Sequence, residues 1–435
     1  MPRIKLEFLT KRVRKQFAEL ASVTGANAFN NLVGFLVQLS AAKTMGAANY
    51  GILSLALSVA TMTGTIGDFG LNLATIRLYN KYQGQNETKD LLLGSIISLK
   101  ILLLLFIVLL SFPIGNLLAR CLLGNAGETK LFAIALLTGG TLFFWTYLQS
   151  YLQSQQLFFR LTVYIIAYAI LRIIFLAVGY VLYPQKPIVW LMATYTLPVF
   201  ILSINGVLLK IQKLIKKTFS HPNASLIILQ EALSYSKWVA ISGIAYTSLI
   251  NLIRFVLAAF TSPAEVGIFS AGITFTMVFS TLNTSIRVVL FPKVTALESP
   301  KEIDRYLERI KNMAPYYFIF VVLGIIVLGL LQWYFLGAEY RAALPVFFIT
   351  SLSLSLTIFL GLGTMLVHTM MKPQVDALVN IARLVLMLLL GVVLIPLFHA
   401  VGGAVAYALP VLLGEIWMYR FVKTKNAGVI YNGRS

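Results

Sequence analysis

The chain has 435 residues, 59% of them apolar and only 11% charged, and it carries a net charge of +20, whereas soluble proteins average about 25% charged residues. So little polar surface excludes a water-soluble globule of this size. The single cysteine, Cys121, excludes a disulfide scaffold, and 29 Phe with 20 Tyr exclude a disordered chain.

What remains is an all-α integral membrane protein, because the apolar runs are long enough to cross a bilayer as helices of about 20 residues. Residues 1–21 contain six basic residues, with Leu6, Leu9, Val13, Phe17 and Leu20 at helical spacing. Lacking a long apolar run or a small-residue cleavage site, this stretch reads as a basic amphipathic helix on the cytoplasmic surface, not a secretory signal. Six spans are expected near 22–42, 50–76, 91–112, 131–154, 159–182 and 188–209, within a bundle over 22–210. The apolar stretch 115–123 is too short to cross and is expected at the interface.

A cytoplasmic linker over 211–236 leads to a second bundle over 237–422. Its six spans fall near 237–260, 264–290, 314–336, 342–370, 376–398 and 401–421, and a cytoplasmic tail over 423–435 ends the chain. Between the eighth and ninth spans, Ser299-Pro300-Lys301-Glu302 has a capping-box pattern with proline at the first helical position. Ile303, Tyr306, Leu307 and Ile310 make one apolar face, so a short interfacial helix is expected there. With the N-terminus inside, cytoplasmic segments hold 26 basic residues and outer segments five. That asymmetry puts both termini in the cytoplasm and explains most of the +20 without nucleic acid.

The two bundles repeat one another. Ala47-Ala48-Asn49-Tyr50-Gly51-Ile52-Leu53-Ser54 matches Pro263-Ala264-Glu265-Val266-Gly267-Ile268-Phe269-Ser270 at an offset of 216. Leu123-Gly124 matches Leu336-Gly337, and Leu171-Arg172-Ile173-Ile174 through Pro184 matches Ala382-Arg383-Leu384-Val385 through Pro396. Three matches in order indicate a duplicated six-span unit. An even number of spans makes both halves enter the membrane in the same direction. Transporters built this way hold substrate between the halves and rock one against the other.

Four bases fall inside spans, Lys100, Arg172, Arg254 and Arg383, against two acids, Asp68 and Glu415. A charge at the centre of a helix costs about 2.5–3.5 kcal/mol on insertion scales unless water or a partner meets it. By count, at least two cations need water or a ligand's negative charge. The expected substrate-binding set is therefore Arg172, Arg254, Arg383 and Lys100, with the three arginines facing one cavity as a ladder over roughly 15 Å of depth. Asp68 and Glu415 are the candidates for gating or coupling.

Other motifs carry nothing. Asp68-Phe69-Gly70 imitates a kinase metal-binding tripeptide but has no accompanying kinase loops. The three histidines, His221, His368 and His399, lack ligand-spaced companions, so no metal site or cofactor is expected. The five tryptophans fall mostly near span ends, as interface anchors do.

Gly46-Ala47-Ala48-Asn49-Tyr50-Gly51, then Asp68-Phe69-Gly70-Leu71 and Arg77, resembles the first two spans of the polysaccharide transporter family. These are the Wzx-type lipid-linked oligosaccharide flippases of the multidrug/oligosaccharidyl-lipid/polysaccharide (MOP) exporter superfamily. The resemblance implies a V-shaped pair of six-helix bundles around a cationic cavity and an undecaprenyl-diphosphate-linked oligosaccharide as cargo. It maps the cavity role onto Arg172, Arg254 and Arg383.

Charge chemistry agrees with that cargo. A cationic cavity open sideways would neutralise the diphosphate and admit the sugars while the polyprenyl tail stays in lipid. No nucleotide-binding loop is present, so an ion gradient (H+ or Na+), the membrane potential or consumption of the glycan is the expected energy source. The protein is expected to be a monomeric, non-enzymatic transporter of a prokaryotic inner membrane. An ion-coupled drug antiporter of the same superfamily is the alternative, disfavoured by the excess of bases. A membrane glycan polymerase or transferase is a further one, disfavoured by the short outer loops.

Overall fold

The computed structural model describes residues 2–295, 300–369 and 373–425, and among them there are helices and no strands. In chain order the helices are α1 (Pro2–Asp68), α2 (Leu71–Lys81), α3 (Asn86–Leu123), α4 (Thr129–Ser154), α5 (Phe158–Leu182) and α6 (Pro187–Leu191). There follow α7 (Leu197–Ser220), α8 (Pro222–Phe260), α9 (Pro263–Thr295), α10 (Pro300–Leu336), α11 (Ala343–Thr369) and α12 (Pro373–Lys425).

Ten described stretches are long and apolar enough to cross a membrane, and two of them are double length: Ala21–Lys81 with 61 residues and Gln374–Phe421 with 48. Each of these two is broken near its middle, and the first is interrupted again at Phe69–Gly70, between α1 and α2. In α1 the break is Gly46 (φ 75°, ψ 168°), a conformation open to glycine because it has no Cβ. In α12 it is His399 (φ 51°, ψ −128°), a backbone geometry that costs a non-glycine residue about 1–3 kcal/mol. Gly402 follows so closely that a Cβ there would overlap the Leu394 carbonyl, and this lets the second leg turn back at once. Divided at these two mid-length breaks, the ten described stretches give twelve segments.

Both breaks expose a helix N-terminus, and a carboxylate caps each. Glu339 Oε1 accepts from the Ala47 amide at 2.7 Å, and Glu265 Oε2 accepts from the Ala400 amide at 3.0 Å. A carboxylate at the positive end of a helix dipole satisfies an orphan donor and a partial charge together.

Three expected boundaries change. The stretch 115–123 is no separate interfacial piece, because α3 runs unbroken through Pro113 to Leu123 over 38 residues. At 1.5 Å per residue it is about 57 Å long, nearly twice the hydrocarbon thickness, so its ends stand clear of the bilayer. The short helix expected near 300–310 is continuous with the span that follows, as α10. Tyr306 anchors it by donating to the Leu362 carbonyl at 2.8 Å; Ser299 and the side chains of Lys301, Ile303 and Leu307 lie outside the described residues. At the N-terminus the backbone is helical from Pro2, in one run with the first span, and most side chains of the amphipathic face also lie outside the described residues.

The halves meet along α1, α8 and α9. Gly51 and Gly267 sit where these helices touch: a Cβ on Gly51 would overlap the Pro263 carbonyl oxygen, and one on Gly267 would overlap that of Ala47. The two contacts are reciprocal at the repeat offset of 216, so the seam is a pseudo-two-fold crossing of the duplicated element. Small residues at such a crossing allow backbone-to-backbone approach. Beside it, Tyr340 donates to the Ala42 carbonyl at 2.8 Å and packs edge-on to Tyr50. This seam is closed. At the opposite end the start of α8 lies on the N-terminal half, with Lys81 Nζ 2.6 Å from Glu231 and the Tyr82 hydroxyl donating to Glu231 at 2.5 Å. Burial, aided by that carboxylate, pushes the Tyr82 hydroxyl up to about 12, so it remains a donor.

Candidate functional site

The embedded charges sort into two classes. Lys100 is fully buried; its Nζ lies 2.7 Å from Asp68 Oδ1 and 3.1 Å from the Phe143 carbonyl, above the Phe143 and Tyr147 rings. Every partner belongs to the N-terminal half. In this structure the charge of Lys100, one of the expected substrate-binding residues, is met by Asp68, and no surface of its side chain is exposed. Asp68 in turn is an ion-pair partner that fixes the end of α1 against α3.

Arg383 repeats the pattern in the other half. Its Nη2 donates to Glu415 Oε2 at 2.9 Å and its Nη1 to Asn380 Oδ1 at 3.0 Å. Asn380 continues to Ser242, and Ser242 to Asp376. Arg383 and Glu415 are 5% and 3% exposed. A Cβ on Gly414 would overlap the Arg383 side chain, so the glycine makes room for the guanidinium.

Arg172 and Arg254 have no carboxylate within ion-pair distance among the described residues, so the number left without an acid is the two that counting required. Arg172, 4% exposed, lies between the rings of Tyr168 and Tyr195, with its guanidinium carbon 5.3 and 4.7 Å from their centroids. Gly34 of α1 faces it closely, 3.2 Å from Nη1 to the position a Cβ would take. Tyr195 reaches the arginine because it sits in a π-helical turn, Met192–Thr196, that precedes α7. Pro198 lacks the amide that would bond to the Thr194 carbonyl, and the widened turn is the local consequence.

Arg254 occupies the seam. Its Nε donates to Ser270 at 3.1 Å, and its Nη1 to Ser58 at 3.1 Å and Asn251 at 3.4 Å. Ser58 is on α1, in the N-terminal half, whereas Ser270 is on α9. Neutral hydroxyls meet this cation from both halves.

A chain of side chains joins the two arginines. Gln38 donates to the Tyr195 hydroxyl at 2.8 Å and accepts from Tyr50 at 2.9 Å. The Tyr50 oxygen lies 3.0 Å from Thr274 Oγ1 on α9, and Thr274 donates to the Ser270 carbonyl. Arg172 is buried within the N-terminal half and Arg383 within the C-terminal half, while Arg254 bonds to both halves.

Sequence reasoning missed Tyr195, Gln38 and Tyr50. One signal was present, since Tyr195-Thr196-Leu197-Pro198 matches Tyr407-Ala408-Leu409-Pro410 at an offset of 212. Nothing local marked Gln38, which earns its place by position in the fold.

The comparisons fit this geometry. The model of a family described as "Polysaccharide biosynthesis protein" matches residues 18–298. A comparison with curated proteins finds no match. Among solved structures, the lipid II flippase MurJ in an inward closed conformation is 16% identical, with 93% of this chain and 88% of that one covered at a TM-score of 0.71. An inward-facing multidrug resistance MATE family transporter of the MOP superfamily is 13% identical, with 92% and 96% covered and a TM-score of 0.73. A MOP superfamily transporter from Pyrococcus furiosus, described as having a binding pocket of reverse polarity, is also 13% identical, with 94% and 95% covered and a TM-score of 0.65. The chain, a multi-pass membrane protein with the fold of these transporters, belongs to the polysaccharide biosynthesis protein family.

Proposed function

We propose that the protein flips a polyprenyl-diphosphate-linked oligosaccharide across the cytoplasmic membrane by alternating access, for synthesis of a cell-surface polysaccharide. The observation that carries this reading is Arg254, a cation at the seam between the halves held by hydroxyls and an amide and, among the described residues, by no carboxylate. A diphosphate oxygen would replace those neutral partners with a charge-assisted contact of roughly twice the strength. The same inventory argues against a drug-cation antiporter, because both carboxylates deep in the spans, Asp68 and Glu415, are already paired with bases.

The reading is tested with purified protein in liposomes. It should flip a fluorescent undecaprenyl-diphosphate-linked oligosaccharide without ATP, driven by an ion gradient or the membrane potential. A strict requirement for ATP would contradict it.

The orientation that goes with this function has both termini in the cytoplasm of a bacterial-type inner membrane, and it rests on the asymmetry of basic residues. Cys121, the one cysteine in the chain, is exposed at the end of α3. An impermeant maleimide should label it in intact spheroplasts. Labelling only after the membrane is opened would reverse the topology.

A further inference from the structure

The end of α2 faces the start of α8 across a cavity of about 550 Å³, lined by Arg77, Leu78 and Lys81 on one side and by Glu231, Ser234 and Tyr235 on the other. Spacings of three and four residues put Arg77 with Lys81, and Glu231 with Ser234 and Tyr235, on one face of each helix. The floor is fixed, because Leu78 and Ala232, 4% and 0% exposed, belong to one apolar cluster. Gly70 lets α2 begin against α8: a Cβ there would lie 3.1 Å from the Ala240 nitrogen. The charges in this groove are not balanced. Both Glu231 oxygens are taken, Oε1 by Lys81 and Oε2 by Tyr82. Arg77 has no carboxylate within ion-pair distance among the described residues. Its Nη1 donates to the Tyr235 hydroxyl at 2.6 Å, and its guanidinium carbon lies 4.7 Å from that ring's centroid. Tyr235 accepts from the arginine and keeps its own proton to donate, while Ser234 adds an exposed hydroxyl. An arginine fork, a lysine and two hydroxyls around such a hollow suit the oxygens of a phosphate.

The depth of the groove says which phosphates reach it. Tyr235 stands 25 residues from Phe260, the last residue of α8, about 38 Å along a helix. A tilt of about 20° shortens this to about 35 Å, against a hydrocarbon thickness of about 30 Å. With Phe260 at one edge of the hydrocarbon, the groove lies about 5 Å beyond the other, among the lipid headgroups. Lys237, 6.0 Å from the centroid of the Trp238 ring, marks the same level, as basic and aromatic residues do at an interface. Arg254 is a further 19 residues along α8, about 28 Å away, so the groove is separate from the seam. We infer that it holds the phosphate of an anionic phospholipid of the adjoining leaflet, with Arg77 as the main contact and Lys81 as the second. An exposed ion pair such as Lys81–Glu231 contributes little, so Lys81 can turn to the phosphate. Leu73, 46% exposed and one turn from Arg77 on the bilayer side, continues the face for an acyl chain. Such a lipid touches α2 and the start of α8 together, and α8 runs on to bond α12 through Ser242 and Asn380. It therefore secures the joint between the halves, whatever the protein carries.

The test uses the full chain in neutral detergent with a short-chain phosphatidylglycerol. Phosphatidylcholine of the same chains, inorganic phosphate and undecaprenyl diphosphate are the comparisons. Wild-type protein should bind phosphatidylglycerol about tenfold or more tightly than phosphatidylcholine and melt higher in its presence. Arg77→Gln should lose about tenfold of that affinity, and it strips no carboxylate of a partner. Tyr235→Phe keeps the ring, removes one donor and should lose about threefold, which covers the case in which Arg77→Gln does not fold. Lys89→Gln and Lys216→Gln remove the same charge outside the groove and should bind like the wild type. Equal affinity for the two lipids, unchanged binding by Arg77→Gln and Tyr235→Phe, or equal losses in the two lysine variants would overturn the inference. Displacement of the lipid by an equal concentration of inorganic phosphate would show an anion site with no use for a lipid. Stronger displacement by undecaprenyl diphosphate would give the groove to the cargo. Either result would overturn the assignment to a phospholipid, whereas failure of the flippase reading would leave these measurements unchanged.

Discussion

Glu415→Ala should lower the stability of the folded protein by about 3–5 kcal/mol, the usual cost of stripping one partner from a buried ion pair. The reason lies in what is left behind. Arg383 is 5% exposed, and its remaining partner, Asn380, carries no charge. The uncompensated guanidinium would have to find water or displace its neighbours. Combining Arg383→Met with Glu415→Leu should recover most of the loss, because an apolar pair of similar volume removes both desolvation penalties. The measurement is thermal melting of detergent-purified protein together with folded yield. A single mutant that melts like the wild type but no longer transports would show that the pair serves coupling and not structure.

Gly51→Val should be as severe, through packing instead of charge. A Cβ at Gly51 would overlap the Pro263 carbonyl oxygen, and the far side of the crossing has the same fit at Gly267. Overpacking a tight contact typically costs about 1–3 kcal/mol. Here the displaced atoms are backbone, with no rotamer to yield, so the seam between α1 and α9 must part. Glu339→Ala loosens the same seam more gently: it removes the cap on the Ala47 amide that reaches over from the other half, at a cost of about 1 kcal/mol. Spin-label distances across the seam should lengthen in both variants, most in Gly51→Val, and transport should fall with them. Distances unchanged in Gly51→Val would mean that the crossing does not hold the halves together.

The architecture was legible because membrane burial writes itself into composition. Twelve apolar runs, the duplication and the charge asymmetry need no tertiary information, and the breaks at Gly46 and His399 fall where consecutive runs meet. The stretch 115–123 misled because it is too short to cross by itself, whereas membrane helices can continue through a proline, as α3 does at Pro113. The charge count required at least two cations without an acid, and among the described residues Arg172 and Arg254 have no carboxylate within ion-pair distance. Which two was not legible. Lys100 is 32 residues from Asp68, and Arg383 is 32 from Glu415; such separations leave no local spacing to read. Depth along a span does not reveal which cation has an acid beside it. Only the repeat-equivalent Tyr195 and Tyr407 carried a readable hint, and it lay in a short element between two prolines.

The cation at the seam is the centre of the account, and one measurement bears on it most directly. Wild-type, Arg254→Lys and Arg254→Ala proteins, reconstituted at matched density, are compared for the rate of flipping the labelled undecaprenyl-diphosphate-linked oligosaccharide. Lysine keeps the charge but loses the planar fork that engages Ser270 and Ser58 together, so it should retain part of the rate. Alanine should remove nearly all of it while the protein stays folded. Flipping at the wild-type rate in a well-folded Arg254→Ala protein would contradict the account.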